Sequence, residues 1–322
     1  MLRGLSLLAV VLAGAPALGQ TTVTVMHDND EWADTEEEYA QGTRFSVVSE
    51  GWGRSGLTQG VAAWLPGGEA GDRVSAGFGL GQSFYVPRDI DASAPIAGQR
   101  GYAGWLHGSG LLVRSNAARQ DVWKLDVGVV GKSALSEPLE EFFHGIFNGR
   151  DMNGWGNQIT DRAAANVTVE RRWRNIIPVG DLAFDVSPAV GLEAGTVSVA
   201  ADAGLTVRVG VGLDQDFGAP RVGALGGSLE RGGGWSLYAF ASANARYQAY
   251  DLFLDELGGA DGDPVRGGSA IARGKTRTET SLGVVAANGP VRLTFAWTEE
   301  SRRYDQQAGR HKYGEVTLGW AF

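Results

Sequence analysis

The sequence predicts an all-β protein, a closed antiparallel transmembrane β-barrel of about 12 strands with a short helix in an extracellular loop. Three observations predict this. Apolar and polar residues alternate with period two through most of the chain, as strand side chains pointing to opposite faces require. Beyond the N-terminal stretch, no apolar run approaches the ~18 residues that a membrane-spanning helix needs. Candidate strands run ~10 residues or more, the length of a tilted membrane-crossing strand. A soluble sandwich alternates in the same way. Strand length favours the barrel, as do aromatics at strand ends (Trp105, Trp173, Trp235 and Tyr247), where a membrane interface would hold them.

Taken in order, the chain opens on "MLRGLSLLAVVLAGAPALGQ". Arg3, the apolar run Leu5 to Ala13 and the small residues Ala17 and Gly19 read as a secretory signal peptide over 1–19. One domain, the barrel, follows over 20–322. Turn signals divide it into candidate strands near 21–27, 43–49, 73–86, 101–114, 121–133, 164–173, 182–193, 197–209, 235–250, 274–286, 291–301 and 312–322. The count is even, and closure leaves no exposed edge. With the N-terminus in the periplasm, loops near 28–42, 87–100, 134–163, 194–196, 251–273 and 302–311 face outward. Two inward connections, 50–72 and 210–234, are longer than such barrels usually carry. Arg171, Arg208, Arg246 and Arg292 are expected to point into the lumen. The last residues, "YGEVTLGWAF", form a strand with Phe322, Trp320, Leu318 and Val316 on one face, similar to the C-terminal assembly signal of bacterial outer-membrane barrels.

Composition excludes several classes. A chain without cysteine is no disulfide-stapled scaffold. A net charge of −9 argues against nucleic acid as partner. The 49 glycines follow no G-X-Y period, which excludes collagen.

Three outward loops carry candidate chemistry. The first, "HDNDEWADTEEEYAQG", crowds His27, Asp28, Asn29, Asp30, Asp34, Glu36, Glu37 and Glu38 together. Carboxylate and amide oxygens suit Ca²⁺, although the spacing is no EF-hand and solvated acidic loops are common. The second, "YVPRDIDASAPIAGQRGYAGW", offers Arg88 and Arg100 to anionic groups, or simply a polar rim. The third holds "SEPLEEFFHGIFNGRDMNGWGNQ", where Leu139, Phe142, Phe143, Ile146 and Phe147 recur at helical spacing. Ser136 is placed to cap this helix, with Pro138 in its first turn. Glu140 and His144, four apart, share a helix face, as a surface ion pair or as an oriented general base. No G-x-S-x-G motif and no cysteine nucleophile exist, so a base at His144 would activate water.

Together these loops resemble the lipid A 3-O-deacylase (LpxR-type) family. "EEYAQG", "GQSFYVPRDI", "QRGYAGWL", "VGVVGKSAL", "FFHGIFNG" and "GWGNQI" resemble its ordered motifs, and "FGAPR", "YDLFLDE" and "TEESRRYDQQ" its C-terminal half. The resemblance implies a twelve-stranded outer-membrane barrel, able to work as a monomer, that removes the 3′-acyloxyacyl chain of lipid A in lipopolysaccharide with Ca²⁺. It implies His144 as base with Glu140 beside it, Asn29 and Asp30 at the cation, and Arg88, Arg100, Tyr102 and Gln158 near the substrate. Three positions depart from the family pattern. Ala40 stands where threonine or serine is usual, Glu140 where glutamine is common, and no lysine precedes Lys124. A barrel of the same fold that binds lipid without catalysis, or a small-solute channel, are the competing expectations.

Overall fold

The computed structural model describes residues 19–33, 38–147, 152–219, 235–255 and 271–322, with only the backbone at residue 31 and at 143–147. The expected signal peptide lies outside the described residues, apart from its last position. Twelve strands close a ring: β1 Thr21–Asn29, β2 Glu38–Ser49, β3 Arg73–Val86, β4 Ala103–Ser115, β5 Arg119–Val130, β6 Arg162–Trp173, β8 Leu182–Gly195, β9 Ser198–Val211, β10 Trp235–Asp251, β11 Thr276–Asn288, β12 Val291–Glu300 and β13 His311–Ala321. Sequential neighbours pair antiparallel, β6 pairs with β8, and β1 pairs with β13 to complete the circle. The thirteenth, β7 (Ile176–Val179), is a short strand that pairs only with the start of β8 and lies outside the ring. The expectation missed it because four residues give too short a stretch for alternation to register.

A closed ring pairs every strand edge, which membrane lipid requires because it offers no other partner to backbone N–H and C=O groups. Outward positions carry Val25, Leu80, Leu125, Val127, Leu192, Leu282 and Leu318, all exposed on the wall. Trp235 and Tyr247 mark the two ends of the outward face of β10 and are both exposed. The strand between them, tilted by ~40°, spans ~30 Å, the thickness of a bilayer's hydrocarbon core.

Thr21, where β1 begins, and Phe322 lie at one end of the ring, here the inner end; the outer end carries the loops of the candidate site. The lumen is filled with paired charges. Lys124 meets Asp126 at 3.0 Å, Arg246 meets Asp202 at 2.9 Å and also Glu193, and Ser109 donates to Asp126 at 2.6 Å. Of these, Lys124, Asp126, Glu193 and Arg246 line a cavity of ≈ 140 Å³ together with Tyr39, Arg44, His107, Glu300 and Arg303. Towards the inner end, Arg208 pairs with Asp185 and Asp216 at 2.6 Å each, Arg292 also binds Asp216, and Tyr238 donates to Asp216 at 2.9 Å. Below the cavity, Val48, Leu111, Val113 and Val122 pack into an apolar layer. Arg208, Arg246 and Arg292 thus point inward as expected.

Arg171 does not. It shares the outward parity of Val167 and Val169, and meets Asp121 of β5 at 2.6 Å on the outer surface of the wall. The strand end reads "ERRW", with arginine on both faces, so alternation there does not say which one is inside.

Of the long inward connections, 50–72 folds as two helices, α1 Glu50–Gly53 and α2 Gly56–Trp64. Most of the other, 220–234, lies outside the described residues.

Candidate functional site at the outer face of the wall

The third loop forms α3, Ser136–Phe147, the helix that the apolar spacing predicts. Its start is not capped as expected. Ser136 is already the first helical residue, follows Leu135 in the left-handed region (φ 57°), and its buried Oγ has no hydrogen-bond partner. What fastens the helix start is the wall. Gln82 of β3 donates through Nε2 to the Ala134 carbonyl at 2.6 Å. Gly104 of β4 faces Ser136 so closely that a Cβ there would overlap its Oγ. Both Gln82 and Gly104 have outward parity, so α3 lies outside the barrel, against the outer ends of β3 and β4.

A compact cluster completes this corner. Ala40, Phe84, Val86, Ile90, Tyr102 and Trp155 are buried together on the outside of the wall. Trp155 packs on Tyr102 (ring centroids 4.8 Å) and edge-on against Phe84 (5.8 Å). The Tyr102 hydroxyl donates to the Ile90 carbonyl at 3.2 Å. Burial, with the nearby Glu140 carboxylate adding, pushes the Tyr102 phenol up to about 12. Glu140 is itself buried, so the acidic member of the expected pair faces this cluster rather than solvent. The α3 backbone carries His144 one turn further on; its side chain lies outside the described residues.

The first loop reaches the same corner. The Asp30 amide donates to the Ala40 carbonyl at 3.1 Å, and Ala40 belongs to the Tyr102–Trp155 cluster. Asn29 closes β1 on its outward face, in line with His27, whose Nδ1 lies 2.9 Å from Thr43 Oγ1. Directly across from Asn29 stands Gln41, buried, with Nε2 lacking a hydrogen-bond partner. Trp32 lies edge-on over His27 at 5.5 Å and flanks this patch from the β13 side. The wall thus presents a polar floor of His27, Asn29, Gln41 and Thr43 between Trp32 and the α3 corner.

The other expected residues divide. Gln158 sits in this corner, its Nε2 donating to the Trp155 carbonyl at 3.1 Å while its buried Oε1 has no partner. Arg88 is exposed in the second loop. Arg100 is placed differently: it is buried in the barrel mouth, over the Tyr85 ring at 4.4 Å and 3.4 Å from Glu38, whose carboxylate also accepts from Tyr304. Gln41 is the residue that sequence reasoning passed over. Its motif was noted, but only register shows that it stands opposite Asn29.

Asn29 and Asp30, at the end of β1, carry amide and carboxylate oxygens, the hard donor type that Ca²⁺ takes. Among the described residues no group of three or more histidine, aspartate or glutamate side chains converges to hold a metal. Asp34, Glu36 and Glu37 lie outside the described residues. An ion held here would rest on Asn29, Asp30 and neutral oxygens.

The model of the family described as outer membrane protein LpxR matches residues 5–322. Among solved structures, the chain is similar to LpxR from Salmonella typhimurium, at 14% identity and a TM-score of 0.75, covering 93% of this chain and 99% of that one. The β domain of the Bordetella autotransporter BrkA gives a TM-score of 0.45 at 11% identity, over 94% and 98% of the two chains. No curated protein matches. The first similarity supports the twelve-stranded closed barrel.

Proposed function

Because the chain belongs to the family of outer membrane protein LpxR, an outer-membrane barrel, we propose that it hydrolyses an acyl ester of lipid A in the outer leaflet, releasing the 3′-acyloxyacyl chain of lipopolysaccharide. The observation that carries this reading is the position of α3. It is docked outside the wall, at the outer end, where a lipid ester could reach the Asn29–Gln41 floor without entering the lumen.

In this reading His144 takes a proton from water. The resulting hydroxide adds to the ester carbonyl carbon, the C–O bond to the sugar breaks, and the sugar oxygen regains the proton as the fatty acid leaves. Glu140 orients the imidazole. Asn29 and Asp30 would hold Ca²⁺, which would supply charge stabilisation for the oxygen that becomes negative. Gln41 Nε2 and Gln158 Oε1, buried without partners, are the polar groups that a substrate headgroup would satisfy. Tyr102 shapes the corner, and exposed Arg88 meets anionic groups of the headgroup. Arg100, paired with Glu38, holds the mouth together behind the floor.

The paired charges that fill the lumen, with the apolar layer beneath them, speak against the channel reading. A lipid-binding barrel without catalysis remains the competitor, with Ala40 and Glu140 as its grounds. The deciding experiment is mass spectrometry of lipid A from a deacylase-free host expressing the protein or His144→Ala, with and without Ca²⁺. The expected result is a Ca²⁺-dependent loss of the 3′-acyloxyacyl mass that His144→Ala abolishes. Unchanged lipid A beside a folded barrel favours the competitor.

A further inference from the structure

The connection 50–72 does not hang below the barrel. It is strapped to the outside of the wall at the inner end. Trp52 of α1 stacks on Phe78, an outward residue of the lipid-facing band, with ring centroids 5.5 Å apart. Gly53 lies so close to β3 that a Cβ there would overlap the Val74 carbonyl. Arg114, outward on β4 and stacked over Trp123 at 4.2 Å, donates to the carbonyls of Ala62 (3.0 Å) and Leu65 (3.1 Å), which the end of α2 leaves open. Arg171 reaches the Gly67 carbonyl at 3.0 Å, and Arg119 pairs with Asp72 at 2.7 Å. The arginines and Asp121 that would otherwise face membrane at this end are covered by the strap.

This fastening leaves one face of α2 uncovered. Leu57, Val61 and Trp64, at i, i+4 and i+7, are 82%, 44% and 83% exposed, while Ala62 on the opposite side is buried against the wall. The helix carries no charged residue. A helix with an open apolar face in water is costly, but this one is continuous through Trp52 and Phe78 with the lipid-facing band. Its tryptophan also sits at the end of the barrel where Trp235 and Trp320 are exposed. Tryptophan at that level is the mark of a membrane interface.

We propose that α2 is an interfacial anchor whose Leu57, Val61 and Trp64 insert among the acyl chains of the periplasmic-leaflet phospholipids. The outer leaflet is addressed by α3 and the inner leaflet by α2, on the same sector of the wall, since both helices pack on β3 and β4. The anchor would fix the tilt of that sector and so the height of the α3 corner in the membrane.

The chain has no cysteine, so a single introduced thiol can be labelled uniquely. Nitroxide labels at Val61→Cys and, separately, Leu57→Cys are compared in the full-length protein refolded into phosphatidylethanolamine–phosphatidylglycerol vesicles. Leu80→Cys serves as the lipid-facing reference and Asp181→Cys, in the exposed turn after β7, as the aqueous one. Heat-modifiable migration confirms the fold of each variant. The expected result is a ratio of oxygen to nickel-chelate collisions at positions 57 and 61 shifted to that of the Leu80 reference. A ratio equal to that of the Asp181 reference overturns the anchor and leaves the face to a periplasmic protein. Dipolar broadening between labels on different copies overturns it in favour of a second copy of the chain.

Discussion

At the scale of single residues, the pair on α3 makes the sharpest claim. A carboxylate beside an imidazole stabilises its protonated form. A general base works only when deprotonated, so the acidic limb of the rate profile reports that deprotonation. If Glu140 stands beside the base, replacing it by glutamine removes the favourable charge, and the limb is expected to move to lower pH. Orientation is partly kept by the amide, so the plateau rate falls by about tenfold or less. A profile recorded on lipid A in detergent micelles checks this, and an unmoved limb would remove Glu140 from the base's surroundings. The helix that carries both positions was legible, because Leu139, Phe142, Phe143, Ile146 and Phe147 recur at helical spacing. Arg100 and Gln41 were not. Whether a loop arginine enters the barrel mouth, or a glutamine faces Asn29 across a ladder, depends on register and closure, which a linear pattern does not carry.

At the scale of elements, all twelve barrel strands were legible because a wall strand turns alternate residues to the lumen and to the outside, and that constraint writes itself into every second residue. The strap 50–72 was not, although Ser55 accepts from the Thr58 amide as an N-cap and Leu57, Val61 and Trp64 keep helical spacing. Gly56 and Gly60 weaken the local signal, and the helix owes its place to Arg114, a residue of another element. The docking of α3 yields an element-scale prediction. Gly104→Val places a branched side chain where the Ser136 hydroxyl lies, and overpacking of this kind costs about 1–3 kcal/mol. The ring does not depend on α3, so heat-modifiable migration is expected to stay wild-type. Displacing the helix by about 1 Å is expected to lower deacylation by about 100-fold. Equal losses of folded barrel and of activity would show instead that Gly104 serves the strand and not the helix.

At the scale of the molecule, the ring is closed by its own ends. Thr21 and Phe322 exchange backbone hydrogen bonds, both 2.9 Å, beside the Thr22–Ala321 register of the β1–β13 seam. Removing Phe322 deletes both bonds and the residue that resembles an assembly signal. The expected outcome is a marked drop in heat-modifiable protein in the outer membrane at equal synthesis, read by semi-native electrophoresis. Normal levels would make the terminal phenylalanine an ordinary edge residue.

That seam has a kinetic side. It joins positions separated by nearly the whole chain, the pairing of greatest sequence separation in the ring, and no partial barrel has a finished wall. Since beginning and end are hydrogen-bonded neighbours, the order of strands along the gene is not dictated by the architecture. A circular permutant that joins Phe322 to Thr21 by a short linker and reopens in the Gly180–Asp181 turn is expected to refold in detergent to the same ring. Its fate in cells would then separate two roles that the native chain gives to one place: sealing the wall and announcing itself to the machinery that inserts it.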